Sequence, residues 1–418
     1  MIRKRQGNAS PTDKRPTRRT FAAGAGAAGI VFASAPFGIV RSQTGPLKVG
    51  VILPRTGIQA ESGQSCYQSA EVAPSILKQQ GYPDLEIMPG DTESKVDVAR
   101  ATAERLINNG AQILVGAFDS GQTTAIAQVA EQRNIPLLIN IAAAPAITEQ
   151  GYKFVFRNFP TAGMIVTDSL LMQKELFAHT KTTPKKMVLM HVNDTYGTAV
   201  LGGIKALMPK HDMPFPLQDM IAYDPAARDL SVEVAKAKAT GADLLWAISR
   251  VNDSILITRE MVKQRWQPTG VIAAGPGWYE DQYLQTLGPI ANDMISTVPW
   301  YDPTKPLSKT LIAAVEKAFP GRNVATNQAY TFEALLIVAD AYKRSKSSDP
   351  KALADALRQT DIAGNVTVGT VKFNAKGQNE VLRCAAVQNR NGRLIVVAPR
   401  SAANGEPIWP IRPWDKKA

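Results

Sequence analysis

The chain has 418 residues, 44% hydrophobic and 20% charged, a composition that excludes a disordered or fibrous protein. Its formal net charge is +12, but residues 1–41 hold eight Lys/Arg against one Asp, and the 40 basic and 35 acidic residues that follow leave only about +5. No Lys/Arg block interleaved with aromatic residues occurs downstream, so the charge gives no sign of a nucleic-acid partner.

Arg18-Arg19 and Phe21 follow a basic tail (Arg3, Lys4, Arg5, Lys14, Arg15) and precede Ala22 to Val40, an uncharged run rich in Ala and Gly. The pattern resembles a bacterial twin-arginine export signal, so residues 1–44 are expected to leave a mature protein in the periplasm. A transmembrane anchor is the competing reading, but Gly24, Gly26, Gly29 and Pro36 dilute the apolar stretch. Ala33-Ser34-Ala35 has the form of a cleavage site, and the cut falls anywhere up to Thr44. Gly24-Ala25-Gly26-Ala27-Ala28-Gly29 matches a dinucleotide fingerprint literally, yet it lies inside this segment with no strand before it.

The remaining residues, roughly 370, suffice for two domains with separate cores. Leu47 to Leu53 reads as a strand, Ser65 to Gln79 as a helix and Leu85 to Met88 as a strand. Val96, Ala99, Ala103, Leu106 and Ile107 recur at helical spacing, followed by the strand Ile113 to Val115, the helix Ser120 to Arg133 and the strand Pro136 to Ile141. After Arg157 the cycle restarts: helix 164–179, strand Met187 to Val192, helices 198–208 and 229–240, strand Asp243 to Ile248, helix 254–264, strand Val271 to Ala274. Helices at 307–319, 329–345 and 350–359 follow, then strands at 366–373 and within 380–397. Strands alternating with helices imply parallel βαβ units, so the fold class is α/β with two doubly wound, Rossmann-like lobes. The two cysteines, Cys66 and Cys384, are too few for a disulfide framework and are expected as separate buried thiols.

Catalytic and metal signatures are missing. His179, His191 and His211 have no second ligand at helical spacing, Phe118-Asp119-Ser120-Gly121 fails the nucleophile-elbow pattern, and no phosphate-binding loop occurs. No enzyme, metal or cofactor is expected. Binding features are better supported. Ser120 opens a helix directly after a strand, where open α/β sheets bind ligands, although a plain helix cap explains it equally. Ile141-Ala142-Ala143-Ala144 lets a ligand approach the main chain. Trp246, Arg250, Trp278 and Tyr279 also fall near strand ends.

Val49-Gly50-Val51 through Thr56-Gly57, Asp91-Thr92-Glu93, Gly116 to Thr123, Pro145 with Gly151-Tyr152, Arg157, and Asn193 to Gly197 occur in the order seen in type I solute-binding proteins. The chain resembles their leucine/isoleucine/valine-binding branch over nearly all of residues 46–398. The resemblance implies two lobes joined by a three-strand hinge that closes on a ligand: 45–157 plus 299–370, and 158–298 plus 371–400, with a C-terminal tail at 401–418. It implies a small-molecule ligand, an ABC permease as partner, and a monomer without a cofactor. By its pattern Ser120, Ile141, Ala143, Tyr196 and Arg250 are binding residues, and Ala142 from the small-residue run and Phe118, Trp278 and Tyr279 as flat apolar walls complete the expected set. Ser120 matches a serine that bonds an amino acid's carboxylate, and Arg250 stands where the branch has a tyrosine. The acidic residue that receives the α-ammonium is missing near Gly275-Pro276-Gly277. A buried ammonium without a counter-charge costs several kcal/mol, and a guanidinium favours a carboxylate. The expected ligand is therefore an organic acid, an aromatic carboxylate foremost. Branched-chain amino acids, amides and a periplasmic sensor role are the alternatives, and Arg250 facing solvent or pairing with Asp253 is the alternative for its side chain.

Overall fold

The computed structural model describes residues 45–417, and the export leader expected over 1–44 lies outside the described residues. The first sheet holds β1 (Leu47–Leu53), β2 (Leu85–Asp91), β3 (Ile113–Gly116), β4 (Leu137–Ile139) and β5 (Val155–Arg157), all parallel, in the order β2-β1-β3-β4-β5. Helices α1 (Ala60–Gln79), α2 (Val96–Asn108) and α3 (Ser120–Arg133) make its crossovers. All but one residue of β1 is buried, as both-face coverage of a parallel strand requires.

After α4 (Ala162–Thr180) come β6 (Met187–Val192), α5 (Thr195–Leu207), β7 (Leu217–Tyr223), α6 (Ser231–Ala239), β8 (Leu244–Ile248), α7 (Val251–Lys263), β9 (Gly270–Ala274), α8 (Asp281–Leu287) and β10 (Ile295–Pro299). Helices α9 (Pro306–Ala318), α10 (Thr326–Ser345) and α11 (Pro350–Arg358) and the two-residue strands β11 (Asp361–Ile362) and β12 (Val371–Lys372) precede β13 (Cys384–Arg390) and β14 (Arg393–Ala398). The second sheet runs β14-β13-β10-β9-β8-β6-β7, with β13 antiparallel to β10 and to β14. Helices α9 and α10 pack on α1, so the chain after β10 returns to the first sheet before β13 rejoins the second.

Three connecting segments thus pass between the sheets, and they are bonded to one another. Arg157 N donates to Gly377 O at 2.7 Å, Asn379 N to Arg157 O at 3.0 Å, and Trp300 N to Arg383 O at 3.1 Å. The fully buried Arg157 guanidinium donates to Gln378 Oε1 and to the carbonyls of Ala142 and Ala144, and burial lowers its pKa to about 9.

Several elements depart from the sequence expectation for identifiable reasons. Helices α1 and α5 begin earlier than expected because Gly63 and Gly197 occupy their first turns. A Cβ there would stand 1.9 Å from Pro54 O and 1.8 Å from Val192 O, so only glycine lets these helices press onto the preceding strand ends. The strand expected over 366–373 shrinks to β12, because the N–H groups of Val366 and Thr367 donate to the buried Glu333 carboxylate instead of a ladder. Strand β7 is an edge strand whose exposed, partly polar residues hide its period, and β10 was equally invisible. The C-terminal residues are packed: Trp409 lies against Phe177, and its indole N–H donates to Thr182 O. Cys66 and Cys384 are separate, buried and unpaired.

Candidate functional site

The carboxyl ends of both sheets contribute to one narrow cavity of about 40 Å³. Phe118 follows β3, Ile141 and Ala143 follow β4, Tyr196 opens α5 after β6, Arg250 follows β8, Gly275 and Pro276 follow β9, and Thr297 and Pro299 end β10. Phe159, Ile165, Tyr279 and Asn327 complete the wall. The lining is largely apolar and aromatic, the usual character of a small-molecule site.

Six of the nine expected binding residues therefore meet: Phe118, Ile141, Ala143, Tyr196, Arg250 and Tyr279. Three lie elsewhere. Ser120 is buried behind the wall and its Oγ accepts from Ala144 N at 3.3 Å. The cap of α3 is Asp119, which accepts from the N–H groups of Gly121 and Gln122, so the cap reading of Ser120 falls to its neighbour. Ala142 turns away and its carbonyl receives Arg157. Trp278 is fully buried in the second lobe, stacked near Tyr283 with its indole N–H on Ser249 Oγ. Trp246 is likewise core. Sequence reasoning missed Phe159 and Ile165, which lie at the first crossover and on α4, and Thr297 and Pro299, which lie on the unread β10. It also missed Asn327, which reaches the cleft only because α10 returns to the first sheet.

Arg250 faces neither solvent nor Asp253 alone. Its Nη2 donates to Asp119 Oδ2 at 2.5 Å and to Asp194 Oδ2, and its backbone N–H donates to Asp253 Oδ1 at 2.9 Å. Asp119 belongs to the first lobe, while Arg250 and Asp194 belong to the second, so the guanidinium ties the two together. Its Nε, buried, has no hydrogen-bond partner among the described residues. Burial alone raises the Asp119 pKa, but the Arg250 charge and the N–H groups of Gln122, Gly121 and Gln59 outweigh it and hold the carboxyl below its usual range. At Asp194 burial, helped by the neighbouring Asp119 charge, prevails over Arg250 and the N–H groups of Gly197 and Tyr196, so its pKa is raised. Asp119 is thus the better-held anion of the pair. Arg250 itself stays protonated, because the flanking carboxylates more than offset its burial.

The other polar groups divide by type. The hydroxyls of Tyr196 and Tyr279 face the cavity wall without a partner among the described residues. Thr297 donates to Ser169 Oγ. Glu280, the nearest acid to the segment 275–277, turns away from the cavity: Oε2 accepts from Ser62 Oγ at 2.7 Å and Oε1 from Asn327 Nδ2 at 3.0 Å. Asp281 accepts from Asn323. Among the described residues no His/Cys/Asp/Glu group has the arrangement to hold a metal ion.

The comparisons with known proteins agree with this geometry. The profile of the family described as periplasmic binding protein matches residues 46–392. The Leu/Ile/Val-binding protein homolog 8 of Brucella abortus (strain 2308) is 26% identical over 373 residues, covering 85% of this chain and 91% of that protein. Among solved structures, the leucine-binding protein LivK of Thermotoga maritima superposes with a TM-score of 0.74 at 19% identity, covering 85% of this chain and 99% of that one. A solute-binding protein of an ABC transporter from Rhodopseudomonas palustris BisB5, in complex with 3,4-dihydroxybenzoic acid, gives 0.70 at 19% identity, covering 84% and 95%. The type I fold is thereby shown, and the chain belongs to the periplasmic binding protein family, whose members are binding proteins and not enzymes.

Proposed function

We propose that this protein encloses an aromatic carboxylate between its lobes and delivers it to an ABC permease in the inner membrane. One observation carries the reading: every carboxylate around the cavity is committed to a protein partner, while two phenolic hydroxyls on its wall have none among the described residues. The hydroxyls are those of Tyr196 and Tyr279, whereas Asp119 and Asp194 are turned onto Arg250 and Glu280 onto Ser62 and Asn327. An α-ammonium entering this cavity meets no uncommitted carboxylate, and a buried unpaired cation costs several kcal/mol. A carboxylate meets donors, and the rings of Phe118, Phe159, Tyr196 and Tyr279 suit a flat apolar body. The relative bound to 3,4-dihydroxybenzoic acid supports that ligand class. Amino-acid binding is the second reading. It draws on the relatives named for leucine, isoleucine and valine, and on the two carboxylates that already balance the Arg250 charge.

The lobes proposed are 45–157 with 299–370 and 158–298 with 371–400, hinged at the three crossovers. Export by the twin-arginine route and action as a periplasmic monomer complete the proposal. A thermal-shift comparison tests the ligand class, since a ligand at a hundredfold its Kd adds about 2.7 kcal/mol to the folded state. 3,4-Dihydroxybenzoic acid is expected to raise the melting temperature more than leucine does. Stabilisation by leucine with no response to any aromatic acid rejects the reading.

A further inference from the structure

Glu280 is 5% exposed and sits between the lobes. It follows β9 of the second sheet, yet both of its oxygens are bonded to the first lobe, to Ser62 on α1 and to Asn327 on α10. Asn327 in turn lines the ligand cavity. No Lys or Arg among the described residues pairs with Glu280, and the charged groups nearest it are acids. Glu61, on α1, is itself paired with Arg322, and Asp281, on α8, is bonded to Asn323. Cys66 on α1 and Tyr279 also face it, and both are neutral because burial raises their pKa. A buried carboxylate with neutral partners and acidic neighbours is costly, whereas a carboxylic acid there keeps both hydrogen bonds: its carbonyl oxygen accepts from Asn327 and its hydroxyl donates to Ser62.

We propose that Glu280 takes up a proton when the cleft closes, and that as a neutral acid it is the positioning residue that holds Asn327 in the cavity wall and latches the lobes together. Ligand capture is then coupled to proton capture at a site that does not touch the ligand. The inference rests on the family's closing cleft and not on which ligand is enclosed. The direction of the coupling follows from burial, which raises the Glu280 pKa from the usual carboxyl value to about 7 in the closed form. In the open form the side chain regains water and titrates near its ordinary value. Closure is therefore unpenalised below about pH 4.5 and loses support as pH rises towards 7, beyond which the loss levels off.

The test compares the wild type with Glu280→Gln, whose amide reproduces the neutral acid: its oxygen accepts from Asn327 and its N–H donates to Ser62. With 3,4-dihydroxybenzoic acid as the probe, wild-type affinity is expected to fall by roughly tenfold or more between pH 5.5 and pH 7.5. The Gln variant is expected to hold a nearly flat profile and to bind more tightly than the wild type at pH 7.5. Leucine as a second probe gives a second readout, with the wild type losing affinity relative to the variant as pH rises. Parallel pH profiles in both proteins overturn the inference. If 3,4-dihydroxybenzoic acid binds neither protein, the ligand reading fails, and the leucine profiles still decide the role of Glu280.

Discussion

Arg250 and Glu280 both reach from the second lobe to the first, and they do so by opposite means. Arg250 keeps its charge in a site with 11% of its side chain exposed, because Asp119 and Asp194 supply counter-charge. Glu280 has only Ser62 and Asn327, so its stable form is the uncharged one. The same burial therefore produces a link held by charge on one side of the cavity and one held by neutral hydrogen bonds on the other. Their pH responses are opposed. Asp119 lies below its ordinary pKa, so its pairing is fully present above about pH 4 and is lost as the medium becomes more acidic. Glu280 lies above its ordinary value, so its contribution is full at acid pH and is lost towards neutrality. A closed cleft is best supported between these limits, at mildly acid pH.

The largest effect expected from breaking this symmetry is at Arg250. Arg250→Met leaves Asp119 and Asp194 buried without their cation, and removal of one partner from a buried ion pair costs about 3–5 kcal/mol. Urea unfolding at pH 7 checks this, and the loss should shrink as the pH is lowered and the carboxylates protonate. A change within about 1 kcal/mol places Arg250 among surface pairs and removes the charged link from the comparison. On the neutral side the substitutions are gentler. Ser62→Ala removes one hydrogen bond from Glu280 and is expected to cost about 1 kcal/mol at pH 5.5. The cost should grow at pH 7.5, where the ionised carboxyl loses a donor it needs. A cost independent of pH assigns Ser62 to packing on α1 and detaches it from the latch.

Much of the architecture was legible because parallel βαβ units write themselves locally. The helix Ser120–Arg133 and the strand Met187–Val192 stand at their expected bounds. What failed was information carried by distant partners. Nothing near Val366 announces that Glu333, on α10, draws its N–H away from a ladder. Residues on loops directly after predicted strands reach the candidate cavity, as Tyr196 and Tyr279 show. Asn327 lies 131 positions after Tyr196 and becomes a neighbour only through the second crossover. Arg250 was legible as a cleft residue but its partners were not, since Asp119 and Asp194 look like ordinary helix caps, a role both also fill. Ser120 was misjudged by one position: the side chain next to it, Asp119, is the one that caps the helix and meets the opposite lobe.

The absence of an uncommitted carboxylate around the cavity is tested most directly by calorimetric titration of the wild type, at pH 5.5, with 3,4-dihydroxybenzoic acid and with leucine. The acid is expected to bind at least about tenfold more tightly, a difference of about 1.4 kcal/mol, since the two tyrosine hydroxyls and the Arg250 charge suit a carboxylate and no uncommitted carboxylate receives an ammonium. Leucine binding as tightly as the acid, or more tightly, contradicts it.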